Sequence, residues 1–117
     1  MGRAGEDAAR AYFIRQGAEI LERNWRCRIG EIDLVVLDRG VLVVVEVKSR
    51  RDSRLSREHL FDTIGARKQH RLRQLAELFV RRNPRYRGLP LRLDAIGVLF
   101  TGDDLSRFEI RHIVSAL

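Results

Sequence analysis

The pattern of hydrophobic and polar positions along the chain predicts two helices and five strands. Apolar side chains recur at helical spacing over residues 4–16. A second helix is predicted to begin at Asp62 or Thr63, which are good N-cap residues, and to end at Arg82. Alternating or continuous apolar runs predict strands over residues 18–27, 31–38, 41–50, 91–100 and 108–114.

The order of these elements, α-β-β-β-α-β-β, predicts an α/β fold with a central mixed sheet flanked by helices. At 117 residues, the chain is expected to form a single domain over residues 1–117 that buries its core without disulfides. The first strand is expected at an edge of the sheet. Residues 51–60 are densely charged and are predicted to form a mobile loop.

The second and third strands are predicted to form a hairpin around Arg39-Gly40. If these two residues make the whole loop, three pairs face each other: Asp38 with Val41, Asp33 with Glu46, and Glu31 with Lys48. Arginine is a poor first residue for the type I′ turn that such a loop prefers. A three-residue loop with a glycine bulge is therefore an open alternative.

Alternation along this hairpin assigns each side chain to one face of the sheet. One face carries Asp33, Val35, Leu37, Leu42, Val44, Glu46 and Lys48, and the other carries Ile32, Leu34, Val36, Val43, Val45 and Val47. Both faces are apolar near the turn, which predicts that other elements cover both of them.

Asp33 and Glu46 are the candidate metal ligands of the hairpin. Two carboxylates on a half-buried face repel each other, and a divalent cation removes that cost. Oxygen ligands favour Mg²⁺ or Mn²⁺. Lys48 lies on the same face, where it can orient an attacking water and stabilise a phosphorane-like transition state. The alternative interpretation is a structural network of ion pairs at an exposed end of the sheet.

Each predicted helix adds a polar residue that is directed toward the sheet. Glu6 lies on the apolar face of the first helix and is a candidate catalytic residue, unless it only complements the helix dipole. Lys68 lies in the apolar stripe of the second helix, which directs its side chain toward the sheet. The alternative is that its amine snorkels to solvent. Gln69 is its neighbour and is a candidate phosphate contact.

The basic composition indicates a polyanionic partner. Lysine and arginine number 23 against 16 acidic residues, which gives a net charge of +7 and a pI of about 10.9. Such a surface attracts a phosphate backbone and releases its counterions, although arginine-rich proteomes also produce basic domains without that role. Only Lys48 and Lys68 are lysines, and arginine does not replace lysine at a reactive site. The candidate DNA contacts are Lys68, Gln69, Arg50, Arg51 and Arg71.

Several other classes of function receive no support from the sequence. No apolar run approaches the roughly 20 residues that span a bilayer, and the N-terminus lacks the apolar stretch of a signal peptide. A cytoplasmic protein without a membrane partner is therefore expected. The single cysteine, Cys27, excludes an internal disulfide, and the histidines lack metal-ligand spacing. Asp94 is interpreted as either a buried polar residue or an outer partner of the site.

Four motifs occur in order: Gly5-Glu6-x-x-Ala9, Gly30-Glu31-Ile32-Asp33-Leu34-Val35, Val45-Glu46-Val47-Lys48-x-Arg50 and Lys68-Gln69-x-Arg71-Leu72. Over nearly the whole chain this set resembles the small bacterial YraN-type proteins. That family is similar in fold to the restriction-endonuclease-like (PD-(D/E)XK) superfamily and, within it, to archaeal Holliday-junction resolvases. The resemblance implies a core triad of Asp33, Glu46 and Lys48, with Glu6 as a helix-borne acid. Ile32 stands where the superfamily motif often has proline.

Two functions remain open at this point. The first is a Mg²⁺- or Mn²⁺-dependent DNA endonuclease, selective for branched or junction DNA, in which Asp33, Glu46, the Val47 carbonyl and Glu6 hold the metal. A homodimer would supply the two centres that a junction enzyme needs. The second is a catalytically silent DNA-binding or DNA-processing protein that keeps the fold. The intact acid-acid-lysine set favours the first, because a binding module gains nothing from carboxylates that face phosphate.

Overall fold

A five-stranded mixed sheet forms the centre of this protein in the computed structural model, which describes residues 2–62 and 64–115. The strands lie in chain order across the sheet, so β1 and β5 are its edges; β3 and β4 pair in parallel, and the other neighbours are antiparallel. This arrangement confirms the predicted α/β order. The elements are α1 (Gly2–Arg15), β1 (Glu19–Cys27), β2 (Gly30–Asp38), β3 (Val41–Arg51), α2 (Arg54–His59), α3 (Ala66–Arg82), β4 (Leu91–Phe100) and β5 (Phe108–Ile113), with a 3-10 turn over Pro84–Tyr86.

A helix covers each face of the sheet, as the apolar hairpin predicted. On one face α1 packs Ala9 and Phe13 into a buried cluster with Val36, Val43 and other residues of the central strands. On the other face α3 buries Leu72, Leu75, Ala76 and Phe79 against Val35, Val44 and their neighbours. The parallel connection from β3 to β4 runs through α3, which places that helix across the sheet from α1. Within the described ranges, no helix is long and apolar enough to cross a membrane.

The hairpin between β2 and β3 has the predicted two-residue loop. Asp38 pairs with Val41, and Arg39 and Gly40 both have positive φ, at 51° and 81°. Positive φ at both central residues is the signature of a type I′ turn, whose twist matches that of the flanking strands. The bulged three-residue alternative is therefore wrong, and arginine tolerates the left-handed position.

The pairing of β2 with β3 ends at Leu34 and Val45, so the sheet forks between these strands. Beyond that point β2 stays with β1 as far as Gly30, while β3 stays with β4 as far as Arg51. The fork corrects one face assignment: Ile32 was predicted beside Leu34, but it packs in the cluster under α3. Once β2 leaves β3, the pleat of β3 no longer dictates which way its side chains point.

The segment predicted to be a mobile loop is ordered instead. β3 extends to Arg51, and α2 follows at Arg54–His59. Ser53 caps this helix because its hydroxyl accepts a hydrogen bond from the Ser56 N–H at 3.0 Å. Leu60 is buried directly over Gly97, where a Cβ atom would lie 2.2 Å from a Leu60 methyl carbon. Local capping and this anchor give the charged segment a fixed position.

The start of α3 also differs from the prediction. The helix begins at Ala66 with Gly65 as its N-cap, and Asp62 instead joins a turn in which its N–H bonds to the His59 carbonyl. The Asp62 carboxylate lies 2.5 Å from His59 Nδ1, so it does not cap the helix. The alternative start, Thr63, lies outside the described residues.

Candidate functional site

The fork between β2 and β3 exposes backbone groups that a continuous sheet would pair, and Asp33 occupies this position. Its carboxylate accepts a hydrogen bond of 2.8 Å from the Val47 N–H. The predicted cross-strand pairs of Asp33 with Glu46 and of Glu31 with Lys48 are not formed, because the pairing of the two strands ends at Leu34 and Val45. Asp33 and Glu46 instead lie one residue beyond the last pair, one on each arm of the fork. Both line one cavity of about 170 Å³, as expected for residues of the same face.

Three carboxylates gather on the β2 side of the fork. Oxygens of Glu6, Glu31 and Asp33 all lie within 4.8 Å of one another. Burial, the Glu46 carboxylate and the charges of Glu6 and Glu31 together raise the pKa of Asp33 to about 6, against the opposing effect of the Val47 N–H. Helix α1 therefore places the Glu6 carboxylate beside those of Glu31 and Asp33.

Both lysines of the chain contact the remaining acid, Glu46. Lys48 Nζ lies 3.5 Å and Lys68 Nζ 3.2 Å from Glu46 Oε1. Glu46 is buried, with 5 % of its surface exposed, and the Lys48 side chain is 17 % exposed. The retention of lysine at only these two positions therefore coincides with one buried carboxylate.

Close packing of α1 on β3 brings Glu6 to this place. A Cβ atom on Gly5 would lie 2.7 Å from Ser49 Cβ and 2.8 Å from Ser49 Oγ. Such distances leave no space for a side chain, so glycine permits the helix to approach the strand. Gly5 therefore sets the distance at which the next residue, Glu6, faces Asp33 and Glu31.

Substituting alanine for Gly5 is expected to destabilise the protein. A glycine-to-alanine exchange within a helix usually stabilises by about 0.5–1 kcal/mol, whereas the clash with Ser49 should cost about 1–3 kcal/mol. Gly2→Ala is the matched control on the same helix, because nothing lies within 4 Å of its added Cβ. Urea unfolding of both variants measures the difference, and equal stabilities would contradict the close approach.

The candidate DNA contacts fall in two groups. Lys68 and Arg71 line the site cavity, and both also line an open groove of about 470 Å³ at the start of α3 with Arg67. Arg71 is exposed and lies over Gly30 beside the fork. The side-chain amide of Gln69 donates a hydrogen bond of 3.5 Å to the Ile64 carbonyl.

At the other end of the site, Arg50 and Arg51 lie exposed at the end of β3. Arg50 donates to the Ser49 carbonyl, and Arg51 donates to the Gly102 carbonyl. Both side chains thus lie at the surface, two and three residues beyond Lys48 along β3, and neither lines the site cavity.

Sequence reasoning missed Glu31 as a site residue. It is two residues from Asp33 on the same strand, so alternation alone places both side chains on one face. Arg26 binds the Glu31 carboxylate at 2.5 Å, and that carboxylate is also part of the three-acid group. The alternation that places Glu31 on the face of Asp33 was visible in the sequence. Only the fork shows that Glu31 and Glu6 come together.

Asp94 belongs to a separate buried network and not to the candidate site. Its fully buried carboxylate receives hydrogen bonds from Arg92 at 2.9 Å and from the Ser115 N–H at 2.9 Å, and lies 2.7 Å from His112 Nε2. The other ring nitrogen of His112 lies 2.9 Å from the Tyr12 hydroxyl. Asp94 is thus the buried polar residue of the two interpretations, and it ties β4 to β5 and α1.

The raised pKa of Asp33 predicts a pH-dependent stability without divalent cations. The native state binds the proton of the Asp33 carboxyl more tightly than the unfolded chain does. Ionisation of this carboxyl therefore lowers the free energy of unfolding; the loss is absent below about pH 3.8 and grows as pH rises through about 6. The displacement from 3.8 to about 6 corresponds to about 3 kcal/mol. In EDTA, Asp33→Asn should therefore be more stable than the wild type at pH 8 and equal to it near pH 3.5.

A second variant should show the opposite sign. A hydrogen bond from Arg57 lowers the pKa of Asp52, so Asp52→Asn should lose stability at neutral pH and not gain it. Thermal unfolding of both variants across this pH range measures the difference. A wild type and Asp33→Asn with the same pH profile would contradict the crowding of the carboxylates.

Sequence comparison relates the chain to one group of proteins. A family model described as "Uncharacterised protein family UPF0102" matches residues 5–98. A UPF0102 protein of Clavibacter michiganensis is 45% identical over 86% of this chain and 82% of its own length. Relatives from Ectopseudomonas mendocina and Desulforamulus reducens are 40% and 38% identical, over 87% and 100% of this chain and 84% and 94% of their own lengths. These matches confirm the resemblance to the YraN-type proteins.

Proposed function

We propose that this chain, which belongs to the uncharacterised protein family UPF0102, is a metal-dependent DNA endonuclease. One observation carries the proposal: Asp33, Glu46 and Lys68 line a single cavity, and Lys48 lies 3.5 Å from Glu46. A cleft that concentrates acids and ammonium groups and raises the pKa of one carboxyl is typical of catalytic sites. The resemblance to restriction-endonuclease-like proteins and junction resolvases supports phosphodiester hydrolysis as the reaction.

The donor chemistry of the fork fits a divalent cation such as Mg²⁺ or Mn²⁺. Glu6, Glu31 and Asp33 offer carboxylate oxygens within 4.8 Å of one another, and hard oxygen ligands suit both ions. The raised pKa of Asp33 reflects crowded negative charge that a cation would relieve. Glu46 and the Val47 carbonyl, which the family resemblance implies, would complete the ligands. When bound, the ion supplies Lewis-acid activation of water and phosphate.

The two lysines supply positive charge where the reaction develops negative charge. Lys48 is largely enclosed, so its ammonium can hold a water toward phosphorus. Lys68 is more exposed, at 41 %, and can reach a phosphate oxygen of the bound strand. Glu46 contacts both ammonium groups and fixes their positions relative to Asp33.

DNA would approach the site along the start of α3 and the end of β3. Lys68, Gln69 and Arg71 would contact phosphates beside the scissile bond, and Arg50 and Arg51 would contact the flanking backbone. Because such contacts release counterions, affinity should fall steeply with salt. Carboxylate repulsion should also make divalent-ion and phosphate binding mutually supportive.

The ion pairs of Glu46 favour the second candidate function, a catalytically silent DNA-binding or DNA-processing protein. Two ammonium groups contact this carboxylate and neutralise its charge. Ion pairs that neutralise Glu46 in this way could serve only to hold β3 against α3. The two functions differ in whether a divalent ion binds with DNA present.

A cleavage screen tests the nuclease proposal. Linear duplex, single-stranded, flap and four-way junction DNA would be incubated with Mg²⁺ or Mn²⁺, and Asp33→Asn purified in parallel controls for contaminating nucleases. We expect cleavage by the wild type alone, strongest on branched DNA, and a homodimer on junctions because both strands must be cut. If the wild type binds DNA but cuts none of these substrates, and calorimetry finds no divalent-ion binding, the silent function replaces the proposal.

A further inference from the structure

Three aromatic side chains pack together at the far end of α3 from the candidate site. The Trp25 ring of β1 meets Phe79 edge-on, with centroids 5.4 Å apart and planes at 83°. Phe79 in turn stacks on Tyr86 at 6.1 Å and 9°. Phe79 is buried, whereas Trp25 and Tyr86 are only partly buried at the rim of the core.

An arginine covers each of the two rim aromatics. The Arg82 guanidinium lies 5.7 Å from the Trp25 ring centroid, and the Arg85 guanidinium lies 5.0 Å from that of Tyr86. Both arginines are exposed, and among the described residues neither forms an ion pair with a carboxylate. A guanidinium stacked on a ring presents one flat face for a base and free N–H groups for phosphate.

The same helix connects this aromatic-arginine cluster to the candidate site. Lys68, Arg71 and Arg82 are three and eleven residues apart, which places them along one side of α3. At 1.5 Å per residue, Lys68 and Arg82 are separated by about 21 Å. That distance corresponds to about six nucleotides at a stacked rise of 3.4 Å.

We propose that Trp25, Tyr86, Arg82 and Arg85 form a stacking site for an unpaired DNA strand that runs along α3. The inference rests on the proposed nucleic-acid function and narrows its substrate to DNA with a single-stranded segment. Aromatic platforms combined with cations bind single strands because every base has a face to stack, whereas in a duplex these faces are already stacked. A purely electrostatic surface would have no reason to place Arg82 and Arg85 each over an aromatic ring.

The only tryptophan of the chain makes this inference directly measurable. Trp25 emission would be followed while a short oligothymidylate is added in EDTA, so that no cleavage can occur. We expect saturable quenching and weaker binding of a hairpin duplex with the same number of phosphates. The double variant Arg82→Gln/Arg85→Gln should lose about tenfold in single-strand affinity, because it removes the guanidinium planes on which bases would stack.

Arg10→Gln/Arg15→Gln is the matched control, because it removes the same charge from exposed positions on α1. It should change single-strand affinity far less than the double variant of the stacking site. Equal losses in the two double variants, an equal loss for the duplex, or Trp25 emission that oligothymidylate leaves unchanged would each overturn the inference. Cleavage in the Mg²⁺ or Mn²⁺ screen, with no Trp25 response in EDTA, would overturn the inference while the nuclease proposal stands. Trp25 quenching in EDTA, with no cleavage in that screen, would do the reverse.

Discussion

Replacing Glu46 with glutamine is expected to reduce DNA cleavage by about a thousandfold and to leave DNA binding intact or slightly tighter. Glutamine keeps the shape of the side chain but cannot serve as an anionic ligand or balance Lys48 and Lys68. Losing one preorganised electrostatic contact typically costs a factor of 10²–10³ in rate, and this residue makes several. Binding should survive because the substitution removes a negative charge that would face the phosphate backbone of bound DNA.

Single-turnover cleavage and anisotropy measurements of affinity, at one salt concentration, separate the two effects. Glu77→Gln is the matched control, because Glu77 is exposed on α3 and makes the same change of charge outside the cavity. Its rate should equal that of the wild type. A Glu46→Gln protein that folds, binds DNA and still cleaves at the wild-type rate would show that the activity arises elsewhere.

Local rules were sufficient for most of the hairpin that carries these residues. Arg39-Gly40 predicted the place of the turn but left its length open, and the alternation of apolar positions predicted the shared face of Val35 and Val44. Each of these features depends only on neighbours along two strands. The direction of Lys68 toward the sheet followed equally from helical spacing, and its contact with Glu46 confirms it.

The fork could not be predicted in this way because it depends on which neighbour each strand keeps. β2 remains paired with β1 and β3 with β4, and the competition between these partners decides where β2 and β3 separate. Only that separation turns Ile32 toward α3 and brings Glu31 to Glu6. The prediction of a mobile loop over the charged segment was wrong for a related reason. The tertiary contact of Leu60 with Gly97 holds this segment, which includes α2, in place.

Exchanging Lys48 for arginine is the second substitution with a large expected effect, although this chain uses arginine for 21 of its 23 basic residues. The Lys48 side chain is 17 % exposed and pairs across the sheet with Gly97, over which Leu60 is packed. A planar guanidinium is larger than an ammonium and spreads its charge, so it cannot take the same position beside Glu46. We expect cleavage to fall about a hundredfold with little change in DNA affinity.

Lys68→Arg provides the internal comparison, because it makes the same exchange at the other lysine that contacts Glu46. Lys68 is 41 % exposed, so an arginine there has room to keep both its contact with Glu46 and a phosphate contact. Its rate should fall by less than about tenfold, since hydrogen bonds to charged groups contribute only about 1.5–3 kcal/mol and arginine can replace them. Equal losses for both lysines would indicate that they act only as positive charge, whereas a selective loss at Lys48 would support its role in holding the attacking water.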